Sequence, residues 1–276
     1  MWVKKFLLLV SCSLFIMGCQ QSVKEVNADK LGKIVDLKTG QTFTPVQWLE
    51  SVASQQHLLV GEKHDNLSHH QAQYWLIDQL NQKRKQGALL LEMLRVDQQP
   101  LVDRIAMDFA KYRSNLTASL NWQASWQWDL YQDIVQHPFE HQYALVATNL
   151  TKDEVSQLLR GAEPLKGYVS TDKKVKQQLA DIIIHSHQCE CDANEPHIQK
   201  MVEVQQFRDR RMAEKLLKSH TPNILIAGNH HINRQYGVPK HLADLSPNQK
   251  FTTILLSDKN HTYTQADSDY VWILSE

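Results

Sequence analysis

Two short apolar runs that each stop at a glycine and open into a polar, histidine-rich loop constrain this chain more than any other feature. His57-Leu58-Leu59-Val60 runs into Gly61-Glu62-Lys63-His64-Asp65-Asn66, with His69 and His70 just beyond. Far downstream, Asn223-Ile224-Leu225-Ile226-Ala227 runs into Gly228-Asn229-His230-His231-Ile232-Asn233-Arg234-Gln235-Tyr236-Gly237-Val238-Pro239-Lys240. Apolar runs this short, bounded by Gly, read as buried parallel strands. In open α/β sheets, ligands bind just outside the carboxyl ends of such strands. The pair of loops therefore predicts one polar site built from residues about 170 apart.

The rest of the chain supports that architecture. Further strands are expected at 88–92, 143–148, 251–256 and 270–274, and a small hairpin at 33–37 and 41–43 around Thr39-Gly40. Thr44-Pro45 is a helix-start signal, since Pro suits the first helical turn and Thr caps it. Helical periodicity fills 69–86 and 199–219. Strands alternating with helices indicate an α/β fold with a mainly parallel sheet flanked by helices. Residues 95–140 and 151–220 are longer than a crossover requires and contain no convincing strand. They are expected as helical insertions forming a smaller all-helical domain. The first carries Trp122, Trp126, Trp128 and Tyr131, read as core packing between helices, with an aromatic wall for a planar ligand as the sharper alternative.

Lys+Arg and Asp+Glu both total 30, so no net basic field points to nucleic acid. The skew lies in the 14 histidines, clustered at 64/69/70 and 230/231. At the amino end, Lys4-Lys5 precede an apolar stretch from Phe6 to Met17 that is short for a membrane span. It ends in Ile16-Met17-Gly18-Cys19, which resembles a bacterial lipobox. That resemblance implies a signal peptide over 1–18 and a diacylated Cys19 carrying palmitate-type chains; two or three such chains anchor a protein stably. Gln20 in place of Asp favours the outer membrane. A polar tether over 19–32 and a ligand-binding domain over 33–276 complete the expected organisation. Of 4 cysteines, Cys189 and Cys191 would then remain in an oxidising envelope. A C-x-C pair looks too tight for an easy mutual disulfide. With His185 and His187 it could form a metal tract; a helix-ending turn is the simpler reading.

Taken together the motifs resemble the ChaN family of haem-binding lipoproteins, within the group that includes Tiki and erythromycin-esterase-like proteins. The matching stretches are Val60 to Asn66 with His69-His70, Leu91-Glu92-Met93, Ala147 to Leu150, Gln205 to Ala213, Ala227 to Pro239, and Asp269 to Trp272. The resemblance implies haem as cofactor, a role in haem and iron uptake, and a homodimer enclosing two stacked haems. A tyrosine of one subunit would ligate iron, while a histidine and a lysine of the other hold propionates. Tyr236 is the matching phenol. His64 and His231 are the imidazole candidates for propionates, and Lys63, Arg234 and Lys240 the cations. An outer-membrane haem receptor is the implied partner. One departure is visible: Gly228-Asn229-His230-His231 stands where the family commonly has Gly-Asn-Gly-His.

Elementary chemistry agrees with Tyr236. Tyrosinate is a hard anionic donor and an established haem ligand. A free phenol titrates near 10, so ligation needs the metal charge and nearby cations to hold the phenolate. Glu62, His64, Glu92 and His231 raise a competing possibility, a metal-dependent hydrolase in which carboxylates and imidazoles hold Zn2+ or activate water. Alternatively they form a hydrogen-bonded support, with Glu62 fixing His231. Nothing resembles Gly-x-Ser-x-Gly, a phosphate loop or a dinucleotide fingerprint.

Overall fold

A computed structural model describes residues 23, 24, 26, 28–258 and 262–274. The expected leader and Cys19 lie outside the described residues. The chain begins with the hairpin β1 (Lys33–Asp36) and β2 (Thr42–Phe43), followed by α1 (Pro45–Val52). Thr44 caps α1 as its sequence suggests: its hydroxyl accepts the Gln47 amide, and the Gln47 side chain accepts the Thr44 amide in return. Strand β3 (His57–Glu62), helix α2 (Leu67–Lys83) and strand β4 (Ala88–Arg95) form the first parallel unit.

The next stretch is helical throughout, with α3 (Gln99–Met107), α4 (Phe109–Tyr112), α5 (Leu116–Ser119) and α6 (Trp128–Glu140). After β5 (Ala144–Asn149) come α7 (Lys152–Arg160), α8 (Lys173–His187) and α9 (Pro196–Lys218). The chain returns through β6 (Asn223–Gly228), the single turn α10 (Asn229–Ile232), α11 (Val238–Leu245), β7 (Thr252–Ser257) and β8 (Tyr270–Ile273).

The sheet order is β2-β1-β8-β7-β3-β6-β4-β5, and every pair from β8 to β5 is parallel. Central strands buried on both faces need not alternate polar and apolar residues, which is why they read as continuous hydrophobic runs. Leu58, Val60, Ile224 and Ile226 face a core built with α1, α2 and α6, whereas Leu59, Leu225 and Ala227 face Met212, Ala213 and Leu216 of α9. Strands β3 and β6 lie side by side in register, so Glu62 pairs with Gly228. That juxtaposition is the one expected from the two apolar runs.

The two helical stretches pack differently. Val102, Ile105, Leu116, Tyr131 and Ile134 join the main core, while α8 and α9 share a small core of their own around Leu179, Ile183 and Val202. Part of the segment expected as a tether is also packed down: Val23 and Leu31 are buried, and the Leu31 carbonyl accepts the Trp272 indole N–H at 2.6 Å. One expectation is overturned. Cys189 and Cys191 form a disulfide with Cα atoms 5.3 Å apart. The left-handed Gln188 that ends α8 starts an irregular turn. This bend brings two cysteines separated by one residue to an ordinary bridging distance, so their sulfurs are joined to each other rather than offered as metal-binding thiolates. No helix among the described residues is long and apolar enough to cross a membrane.

Candidate functional site

Where β3 and β6 end, the chain must turn out of the sheet, and the polar residues it releases there are buried by the helices above. Glu62 is the last residue of β3 and is 2% exposed. Its Oε1 accepts the Tyr131 hydroxyl at 2.5 Å and faces His64 Nδ1 at 2.8 Å. Its Oε2 accepts the Gln73 side-chain amide at 2.7 Å, with His70 Nδ1 at 3.5 Å. Burial pushes the Glu62 carboxyl up, but His70, His64 and Tyr131 together outweigh it and hold the group below its ordinary value. The buried carboxylate is thus fully partnered, as burial of a charge demands.

A second chain of contacts starts from β4. Glu92 Oε2 accepts the Gly228 amide at 2.9 Å, and its Oε1 lies 3.4 Å from His231 Nε2. The other ring nitrogen, His231 Nδ1, lies 2.5 Å from Asp209 Oδ1 on α9. Burial alone would lower the His231 pKa, yet Glu92 and then Asp209 raise it to about 10. Burial raises Asp209 to about 6. His231 is therefore a buried imidazolium between two carboxylates.

The pairing inside the network differs from the expected Glu62–His231 contact. Glu62 holds His64, whereas Glu92 and Asp209 hold His231. Glu62 ends β3 and Glu92 lies in the last half of β4, while α9 supplies Asp209 to the other side of the His231 ring. His69 acts differently. Its Nδ1 accepts the Lys63 amide at 2.9 Å, and burial lowers its pKa to about 4. It is a neutral brace for the β3 loop.

Beside this network lies a cleft of about 960 Å3, lined among others by Lys63, His64, Trp126, His230, Leu256 and Tyr263. A hollow of about 280 Å3 shares His64, Trp126 and His230 with it and adds Ile183, Met201 and Arg208. Trp126 forms a wall against His64, with ring centroids 4.9 Å apart, while Trp122 packs on Trp128 and Tyr131. The aromatic cluster therefore divides: Trp126 lines the cleft, and the other rings pack behind it.

Tyr236 sits in the turn before α11, half-buried against the α8–α9 core, with its hydroxyl 3.2 Å from His230 Nδ1. Burial, followed by Tyr263 and Asp267, raises the phenol pKa well above its ordinary value. The expected cations are not its immediate support. Arg234 is ion-paired to Asp269, and Lys240 lines a different cleft with Gln178 and Gln235. Lys63 stands at the rim with Asp65, 3.5 Å away.

Several participants were not singled out by sequence. Gln73, Asp209 and Arg208 come from helix interiors, where a polar residue on an apolar face was the available signal. The stretch Gln205 to Ala213 carried that signal for Asp209 and Arg208. Tyr263, a second phenol lining the cleft, lies in a loop without periodicity.

The arrangement of residues 48–242 matches the family described as haem-binding uptake, Tiki superfamily, ChaN. That match covers more than half of the chain. The chain belongs to the ChaN family. A solved ChaN of Campylobacter jejuni, described as binding haem cofacially, is 32% identical, with a TM-score of 0.82 over 88% of this chain and 97% of that one. An effector domain of a Vibrio vulnificus MARTX toxin aligns at 14% identity and TM-score 0.47, over 86% of this chain and 38% of that one. An erythromycin esterase in an open conformation aligns at 12% identity and TM-score 0.49, over 82% and 76%. Likeness at that level says nothing of activity. No curated protein matches the chain. Within this ChaN-family chain, the departure at His230 is placed on the wall shared by both cavities.

Proposed function

We propose that this protein binds ferric haem at the β3/β6 edge and serves haem uptake as a carrier or store rather than a catalyst. The observation that carries this reading is the cleft itself: aromatic and apolar walls from Trp126, Leu256 and Tyr263 meet polar groups at a topological switch point of the sheet. The residues fit the group. Trp126 gives the cleft an aromatic wall for a planar macrocycle, and His64 and Lys63 stand beside it for carboxylates. Arg208, whose buried Nε has no hydrogen-bond partner, faces the adjoining hollow. Haem supplies a ferric centre that prefers a hard anionic oxygen, and Tyr236, which stands behind His230 of the cleft wall, is the phenol that the family resemblance assigns to it. Without iron its raised pKa keeps it protonated, so the metal charge, not a neighbouring cation, must stabilise the phenolate. His230 Nδ1 is placed to take the departing proton. His231, with both nitrogens facing carboxylates, supports the floor of the site. In the full assignment the chain is anchored through a lipidated Cys19, in the outer membrane, and exchanges haem with a receptor there.

Mixing the purified protein with ferric haem is expected to give a tyrosinate-type high-spin spectrum that Tyr236→Phe abolishes. Retention of that spectrum in Tyr236→Phe with loss in Tyr263→Phe would move the ligand to Tyr263. No haem uptake by the wild type would sink the function.

A second reading, a metal-dependent hydrolase, draws on the convergence of Glu62, His64, Glu92 and His231. Their lone pairs are largely taken up by one another and by Tyr131, Gln73, Asp209 and the Gly228 amide. Among the described residues, two other groups bring three donor atoms within 4.8 Å of one another; this set is not one of them. The carrier reading is therefore preferred. Tightly held stoichiometric zinc, lost in Glu62→Ala and accompanied by no haem uptake, would reverse that preference.

A further inference from the structure

At the other edge of the sheet, where the parallel strands begin, α2 and α6 present a cluster that the haem site does not use. His137 and His141 are four residues apart on α6 and its cap, and Asp78 projects from α2; one donor atom of each lies within 4.8 Å of the others. His137 is completely buried, and its Nε2 has no hydrogen-bond partner. Asp78 Oδ1 lies 3.5 Å from that nitrogen, too long for a good hydrogen bond. A buried nitrogen left in this way costs about 1–3 kcal/mol unless something else satisfies it.

The surroundings prepare the cluster for a cation. His137 Nδ1 lies 2.8 Å from the Tyr143 hydroxyl, whose oxygen can accept a hydrogen bond from Nδ1–H and so leave the Nε2 lone pair facing Asp78. Asp78 Oδ2 is held by the side-chain amides of Gln82 at 2.7 Å and Gln79 at 3.2 Å, so Oδ1 stays on the His137 side. The two imidazoles stack at 4.1 Å, and His141 is exposed, which leaves it room to close on a ligand.

We propose that Asp78, His137 and His141 bind one divalent transition cation, with Zn2+ the best match to two imidazoles and a carboxylate. Two histidines four apart on a helix face are a recurring zinc-binding spacing. Tetrahedral zinc with bonds of about 2.0–2.1 Å sets ligand atoms roughly 3.3 Å apart. An inward shift of the exposed His141 side chain supplies the main adjustment, and water takes the fourth position. The site would clamp α2 to α6, the two helices whose other ends send Gln73 and Tyr131 to Glu62.

The test is equilibrium dialysis of the chelator-stripped, full-length protein against Zn2+ alone. One tightly bound equivalent is expected, weakened at least about ten-fold in Asp78→Asn, in His141→Ala and in Tyr143→Phe. His141 is exposed and Asp78→Asn keeps its shape, so neither variant depends on refilling the core; circular dichroism checks that each remains folded. His197→Ala, beside Glu195 and the bridged Cys191, should bind as the wild type does. Absence of zinc from the wild type would overturn the site. So would unchanged binding in both Asp78→Asn and His141→Ala, or zinc lost in His197→Ala or Glu62→Gln but kept in His141→Ala. Haem uptake is read separately, so failure of this site leaves the haem reading standing, and the reverse.

Discussion

His231 links the chemistry of the cleft to the stability of the fold. Its pKa is raised from 6.5 to about 10 by Glu92 and Asp209 acting against burial. A folded-state pKa above the unfolded one contributes stability that is fully present below pH 6.5 and fades as pH rises towards 10. Glu92 acts in the opposite direction: burial resists its charge, but His231 and His64 hold its carboxyl well below its ordinary value, so its contribution is lost as pH falls below the usual carboxylate range. Removing one partner of a buried ion pair costs about 3–5 kcal/mol. Asp209→Ala is expected to lose about that much near pH 7, where Asp209 is charged and His231 protonated, and progressively less towards pH 9. Urea unfolding at the two pH values checks this, and an equal loss at both would remove Asp209 from the set that keeps His231 protonated. Glu62 and Glu92 were visible in the sequence because each ends an apolar run. Asp209 was not singled out, because its place in a helical stretch does not show that the packing of α9 brings it to His231 on α10.

At the scale of elements, the site depends on how closely β3, β6, β7 and α10 approach. A Cβ on Gly61 would lie 2.3 Å from Asn229 Oδ1 and 2.7 Å from Leu255 Cδ2. Asn229 cannot swing away freely, because its side-chain amide donates to the Leu256 carbonyl at 2.8 Å. Overpacking of this kind costs about 1–3 kcal/mol, so Gly61→Ala should lower the melting temperature measurably. A melting curve superposable on the wild type would show that the β6–α10 turn yields at no cost. Gly228 acts on the ligand side: a Cβ there would sit 2.8 Å from His64 Nε2. Gly228→Ala should therefore displace His64 and weaken haem binding more than it weakens folding. Strand and helix placement was legible because periodicity and capping are local. The hidden part was close approach, which only the paired register of β3 and β6 creates.

For the whole molecule, a haem-dependent dimer is the assembly that the proposed haem assignment predicts. A planar macrocycle held against Trp126 keeps one apolar face in water, and covering it gains roughly 25 cal/mol per Å2. If a second haem and subunit provide that cover, ligand and assembly equilibria are linked. Sedimentation should show a monomer becoming a dimer as ferric haem is added, with Tyr236→Phe remaining largely monomeric. A wild-type monomer at saturating haem would remove the dimer from the proposal while leaving binding intact.

The positions of the strands, the helical character of the long connections and the meeting of two histidine-rich loops were determined by the sequence itself. They rest on hydrophobic patterning and local caps, which each segment carries within a few residues. Which histidine meets which carboxylate was decided only by the tertiary structure. Glu62 took His64 from its own loop, and His231 took Asp209 from α9, because helix packing sets the distances between side chains far apart in sequence. The Cys189–Cys191 bridge and the Asp78–His137–His141 cluster have the same origin. Each depends on where a turn or a neighbouring helix directs a side chain, and residue spacing alone leaves that direction open.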